Sequence, residues 1–70
     1  MKALYSTHKY IRVFVFGVPE GWLVALYDLQ RREWIDRSCS SHDNLKDAKA
    51  DGLERAATII GKHLLNIQWH

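Results

Sequence analysis

The residue types that could support catalysis are concentrated between positions 38 and 43. This segment supplies a thiol, three hydroxyl groups, an imidazole and a carboxylate, from Ser38, Cys39, Ser40, Ser41, His42 and Asp43. A nucleophile, a base and an acid are therefore present by type. A functional triad depends on geometry, however, and small polar residues just before a helical pattern are typical of helix capping. We predict that Ser41 or Asp43 caps a helix and that the protein is not an enzyme.

Cys39 and His42 also have the spacing of two zinc ligands. A structural zinc site has four ligands, usually in two close pairs. The other histidines, His8, His63 and His70, do not form a second close pair. Cys39 is the only cysteine, so no disulfide can form within the chain, and the sequence contains no glycine-rich phosphate-binding loop. The sequence therefore predicts no metal, no cofactor and no small-molecule ligand.

A row of aromatic side chains is the third chemical candidate. Along the first strand, Ile11, Val13 and Val15 alternate with larger side chains, which is typical of a strand whose aliphatic face is buried. The return strand adds either Trp22 or Tyr27 to the opposite face. An antiparallel sheet normally carries polar residues on a solvent-exposed face, and this one does not. We predict an interface or binding face composed of Tyr10, Arg12, Phe14, Phe16 and Tyr27.

Three occupants of this face are compatible with the sequence. A second copy of the chain could pack its sheet against it, or the bases of single-stranded nucleic acid could stack on the rings. The third occupant is the chain itself, if its ends fold back with Leu4, Ile67 and Trp69. Because so short a chain buries only about 60% of its extended surface, it gains most from shared burial, and we predict a homodimer. The alternative nucleic-acid contacts are Arg12, Arg31, Arg32 and Arg37.

Two strong strands and a weaker third strand position this face. The strong strands flank Pro19-Glu20-Gly21, where proline presets φ at the front of a turn and glycine can adopt a positive φ at its back. The segment Glu33–Cys39 is predicted to be a third strand, and its polar residues suit the edge of a sheet.

One helix follows the strands. From Asn44 onward the apolar residues recur with helical period, and we place the helix end near Leu64 or Leu65, with Gly61 as an alternative C-terminal cap. Gly52 lies on the apolar side, where it would let the helix approach the sheet closely. This order predicts the α+β class, with a three-stranded antiparallel sheet in β-β-β-α order and one C-terminal helix packed on one face.

Length and charge set the broad class. All 70 residues are predicted to form one domain, with a leader at 1–8, strands within 9–40, a helix at 43–65 and a tail at 66–70. The formal net charge is only +2, which does not by itself indicate nucleic-acid binding. No apolar run has the length of a signal peptide or a membrane span, so a cytoplasmic protein without membrane contact is predicted.

The order of motifs resembles that of small uncharacterised bacterial single-domain proteins. The resemblance depends on Tyr10-Ile11-Arg12-Val13, Gly21-Trp22, Ala56-Ala57 and Gly61, within residues 9–62. The same order is similar to that of the AP2 and integrase amino-terminal DNA-binding domains, which lay a three-stranded sheet in the major groove. This second resemblance implies DNA contacts through an arginine-rich sheet face. The chain differs from that pattern at Phe14 and Phe16, which occupy positions where polar side chains that contact the DNA bases are expected.

Overall fold

The computed structural model describes residues 2–35 and 40–70. An antiparallel sheet is followed by one C-terminal helix, which confirms the predicted α+β fold, although the sheet has five strands where three were predicted. The elements are β1 (Ala3–His8), β2 (Ile11–Val18), β3 (Gly21–Asp28), β4 (Glu33–Trp34), β5 (Ser40–His42) and α1 (Leu45–Ile60).

The first strand was missed by the sequence-based prediction, which assigned residues 1–8 to a leader. Instead, β1 pairs antiparallel with β2 along its whole length, from Ala3 opposite Phe16 to His8 opposite Ile11. A two-residue turn joins them, and its first residue, Lys9, has a φ of 53°. Turns with a positive φ usually contain Gly, Asn or Asp, and this turn has none of them, so no local pattern indicated a hairpin.

The central hairpin agrees with its prediction. β2 and β3 pair from Ile11 opposite Asp28 to Val18 opposite Gly21, and Gly21 has a φ of 139°. The far edge of β3 is shared by two short strands, with β4 near the end of β3 and β5 near its start. The predicted strand Glu33–Cys39 is therefore only two residues long where it is seen, and positions 36–39 lie outside the described residues.

The core lies between the helix and the aliphatic face of the sheet, as predicted. Ile11, Val13 and Val15 of β2 are fully buried, and β3 adds Val24 and Leu26. The helix contributes small residues: Ala48, Gly52 and Ala56. A Cβ atom built on Gly52 would lie 2.5 Å from Val13 Cγ1 and 3.1 Å from Val24 Cγ1, so the glycine does allow the close approach.

Both predicted ends of the helix need correction. The N-cap is Asn44, not Ser41 or Asp43, and its side-chain oxygen accepts a hydrogen bond of 2.9 Å from the backbone N–H of Asp47. The helix ends at Ile60, not near residue 64 or 65, because Gly61 adopts a left-handed φ of 85° and its N–H donates to the carbonyl oxygen of Ala57. The C-terminal cap considered as the alternative is therefore the real one.

The tail returns to the edge of the sheet. The backbone groups of Tyr5 and His70 exchange two hydrogen bonds of 3.0 and 2.9 Å, which places the end of the chain beside β1. Trp69 packs against the core on the helix side, and the ammonium group of Lys49 lies 5.3 Å from the centre of its ring. This cation–π contact explains a lysine on the otherwise apolar side of the helix. No helix among residues 2–35 and 40–70 is long and apolar enough to cross a membrane.

Candidate functional site

The face of the sheet opposite the helix carries a cluster of aromatic rings. Strand pairing places Phe14 beside Tyr5 on β1 and Ala25 on β3, and it places Tyr27 opposite Trp34. The ring centre of Phe14 lies 5.9 Å from that of Tyr5, 5.7 Å from that of Phe16 and 5.4 Å from that of Trp34. Trp34 in turn meets Tyr27 edge to face at 5.0 Å. We call these five rings the aromatic face, and Phe14 is its centre.

Arg12 supplies the basic group within the aromatic face. Its guanidinium carbon lies 4.7 Å from the centre of the Tyr5 ring, and its Nε donates a 2.9 Å hydrogen bond to Thr7 Oγ1. The cation is thus held against an aromatic ring at the β1 side of the sheet. Among the contacts described above, this is the only one that brings a charged group against a ring of the aromatic face.

Four of the five residues predicted for this face lie on it: Arg12, Phe14, Phe16 and Tyr27. The prediction for Tyr10 is wrong, because this residue belongs to the turn before β2 and packs against the core on the helix side. Strand alternation does not apply to a turn residue, which explains the error. Of the two possibilities for β3, Tyr27 is on the aromatic face, whereas Trp22 packs against the core.

Two rings of the face were missed from the sequence. Tyr5 was assigned to the leader, although the β-forming residues Tyr5 and Thr7 in alternation were a weak strand signal. Trp34 was placed on the third strand without a facing partner, and only its pairing with Tyr27 shows which side it occupies. No local pattern gives the pairing between distant strands.

The chain ends do not cover the aromatic face within the described residues. Leu4 is opposite Val15 and therefore shares the helix side of the sheet, and Trp69 packs against the core on that same side. The ring of His70 reaches the edge of the face, 5.4 Å from the ring centre of Tyr5, and Ile67 keeps 43% of its surface exposed. Trp34 keeps 47% of its surface exposed. An aromatic surface of this kind is unusual on a sheet that faces water.

The remaining predicted arginines lie away from the centre of the face. Arg31 and Arg32 are exposed in the turn between β3 and β4, and Arg32 has a left-handed φ of 57°. The backbone N–H of Arg31 donates to Asp28 Oδ1 at 3.0 Å, which fixes this turn. Arg37 lies outside the described residues.

The polar segment before the helix is used to attach β5 to α1. His42 Nε2 lies 3.0 Å from Asp51 Oδ2, and Arg55 Nε donates to Asp51 Oδ1 at 3.2 Å. Cys39, which has the spacing of a zinc ligand relative to His42, lies outside the described residues. Among the residues that are described, no group of three or more His, Cys, Asp or Glu side chains is placed to hold a metal ion.

A buried polar pair lies on the helix side of β1. Ser6 Oγ and His8 Nε2 are hydrogen-bonded at 2.8 Å, and the two residues are only 1% and 8% exposed. Burial lowers the pKa of His8 below its ordinary value of 6.5, so the imidazole is neutral near pH 7. Since Ser6 is inaccessible, the pair stabilises the interior and does not form a nucleophile–base site.

We expect His8 to make the folded state less stable in acid. The unfolded chain binds a proton near pH 6.5, whereas the folded chain binds it only at a lower pH. The stability linked to His8 is therefore complete above about pH 6.5 and is lost as the pH falls toward the folded pKa. Urea denaturation of the wild type and of His8→Gln should show a smaller acid-induced loss in the variant. His63→Gln, at an exposed position, is the control, and equal pH dependence of all three proteins would contradict the assignment.

The fold and this face define a small α+β domain with an aromatic surface opposite its helix. No protein-family model, no curated protein and no solved structure matches the chain. The resemblances drawn from its motifs therefore stay predictions.

Proposed function

We propose that the protein is a small interaction module that binds a second copy of itself through the aromatic face. The observation that carries this proposal is the contact of Phe14 with three other rings on the sheet face opposite the helix, where Trp34 keeps 47% of its surface exposed. Aromatic residues are enriched at protein interfaces because they bury a large area and lose little conformational freedom. A cytoplasmic location and the lack of enzymatic activity stay predictions from the sequence.

The size of the face suits a weak dimer. β2 and β3 are eight residues long and β1 is six, whereas β4 and β5, which share the far edge of β3, have only two and three. At ~4.8 Å per strand and ~3.4 Å per residue, one copy offers about 440 Å² and two copies about 880 Å², which is in the range of weak, transient interfaces. Two such sheets would pack about 10 Å apart.

The charge distribution also supports self-association. Arg12 is the only formally charged residue that strand pairing puts on this side of β1, β2 and β3 within the described residues. Because the centre of a homodimer interface is typically depleted of charge, a face with one arginine near its β1 side suits a second copy of the same surface. A two-fold arrangement would bring Phe14 of both copies near the middle.

The test is the mass of the wild-type protein in solution. Sedimentation over a series of concentrations should show a species of 16.4 kDa, twice the chain mass of 8.2 kDa. Because the proposed contact is apolar, the dimer should persist as the salt concentration rises. A well-folded protein that remains at 8.2 kDa at the highest concentration would contradict the proposal.

A second candidate is binding of single-stranded nucleic acid, which the position of Arg12 over the Tyr5 ring favours. Stacking platforms combine exposed rings with nearby arginines, and Arg31 and Arg32 are exposed in the turn at one end of the sheet. Oligonucleotide binding should quench the fluorescence of Trp34 and weaken steeply with salt. No quenching at about 50 mM salt would exclude this candidate, since phosphate contacts are strongest at low salt.

A further inference from the structure

A pocket of about 320 Å³ lies between the end of α1 and the turn that joins β1 to β2. Its basic side chains come from two distant parts of the chain: His8 and Lys9 from the turn, and Lys62 and His63 from the segment after the helix. Ile60, Leu64 and Leu65 supply an apolar wall. A concave site with an apolar lining and a few convergent polar groups is the usual form of a small-molecule site, and this volume is at the lower end of the range.

The charge of this pocket is positive. The charge comes from the two lysines of the lining, and none of its residues in the described part of the chain is acidic. Neither Lys9 nor Lys62 forms an ion pair with another described residue. Both ammonium groups therefore have donor capacity for a ligand.

The two lysines are also close enough to affect each other. Lys62 holds the pKa of Lys9 below its ordinary value of 10.5, through direct contact of the side chains first and repulsion of the charges second. An anion bound between two ammonium groups would reverse this effect and raise the pKa of Lys9. A bound anion would therefore relieve the repulsion between the two ammonium groups.

We propose that this pocket binds a small organic phosphate, with the phosphoryl group between Lys9 and Lys62 and the organic part against Leu64 and Leu65. A phosphoryl group carries close to two negative charges near pH 7, which matches two ammonium groups. His63 adds a nitrogen donor at the surface, whereas His8 is buried at the inner wall with its Nε2 hydrogen-bonded to Ser6. The proposal is separate from self-association, because the pocket is formed by the helix end and the turn, and not by the aromatic face.

No sequence motif marks this site, and no small-molecule ligand was predicted from the residues. The contributing residues are at positions 7–9, 60 and 62–65, and they meet because the helix ends at Ile60, with Gly61 as its cap, beside the β1–β2 turn. Lysines near a helix C-terminus can also serve only to complement the helix dipole. Lysines with that simpler role alone would bind no ligand, so a binding experiment distinguishes a phosphate site from stabilisation of the helix dipole.

The test is a titration of the full chain with phenyl phosphate at constant ionic strength, monitored by the amide chemical shifts in NMR spectra. Phenyl phosphate has both a phosphoryl group and an apolar part, and inorganic phosphate is the comparison. We expect saturable shifts at residues 8–9 and 61–65, and tighter binding of phenyl phosphate than of inorganic phosphate. The double variant Lys9→Ser, Lys62→Ser should bind at least about tenfold more weakly, because it loses two charge-assisted hydrogen bonds.

Lys46→Ser is the matched control, since Lys46 is an exposed lysine at the start of the same helix. It should bind phenyl phosphate as the wild type does. The pKa of the Lys9 side chain, measured by NMR titration, should also be higher when the pocket is occupied. Shifts that do not saturate, or equal affinity in the double variant and the wild type, would overturn the proposal and leave the lysines with the dipole role alone. The substituted lysines are exposed, so the variants are expected to fold.

Discussion

Replacing Gly52 with alanine is expected to lower the free energy of unfolding by about 1–3 kcal/mol, the usual cost of overpacking a core. In an exposed helix the same change would stabilise by about 1 kcal/mol. The sign is reversed here because the new Cβ would lie 2.5 Å from Val13 Cγ1 and 3.1 Å from Val24 Cγ1. Both valines are fully buried, so neither can move aside freely. Urea denaturation followed by circular dichroism measures the difference.

Two matched variants show whether the contact is the cause. Ala50→Gly changes an exposed position of the same helix and should destabilise by about 1 kcal/mol, so that glycine is worse at position 50 and better at position 52. In a Val13→Ala background, Gly52→Ala should cost less than it does in the wild type, because the nearest contact atom is gone. If Gly52→Ala stabilises the wild-type protein, the close approach of helix and sheet is not real.

The parts of the fold that the sequence predicted are those with strong local signals. Ile11, Val13 and Val15 alternate strictly with larger side chains, and Pro19 and Gly21 mark a turn after which Gly21 adopts a positive φ of 139°. These signals depend on neighbours in the chain, so they could be interpreted without the structure. The close packing of the helix on the sheet could also be predicted locally, because Gly52 lies on the apolar side of the helical pattern.

The missed parts depend on contacts between distant residues. β1 becomes a strand because β2 offers it a partner, and its polar residues Ser6 and His8 are buried as a hydrogen-bonded pair and not as apolar groups. The tail ends beside β1 because Tyr5 pairs with His70, which are far apart in sequence. Neither pairing has a local signature, and a one-residue change of register would reverse the faces.

The candidate site divides in the same way. Arg12, Phe14 and Phe16 could be assigned to one face by alternation alone, but Tyr5 and Trp34 join them only through strand pairing. The error at Tyr10 shows the limit of alternation, which stops where the strand begins. The organic-phosphate pocket could not be predicted at all, since it requires the exact turn at Gly61.

Phe14 is the residue whose change should affect self-association most. It is at the centre of the aromatic face, and a two-fold contact would bury it in both copies. A carboxylate at this position would be buried in the dimer without a partner, which costs about 3–5 kcal/mol. For each buried carboxylate this corresponds to a dissociation constant that is larger by roughly a factor of 10² to several times 10³, and a two-fold dimer buries two of them. In the monomer the same carboxylate remains accessible to water, because α1 packs on the opposite face of the sheet and position 14 is only half-buried.

Phe14→Glu is therefore expected to sediment as a folded monomer of 8.2 kDa under conditions in which the wild type is a dimer. Leu65→Glu is the control, because Leu65 is 78% exposed and lies away from the aromatic face, so the same charge there should leave the dimer intact. If Phe14→Glu fails to fold, Trp34→Glu at the exposed edge of the face tests the same contact, with circular dichroism to establish folding. A folded Phe14→Glu or Trp34→Glu variant that dimerises as tightly as the wild type would show that the aromatic face is not the contact. Dissociation of Leu65→Glu as well would show that added charge, and not its position, separates the copies.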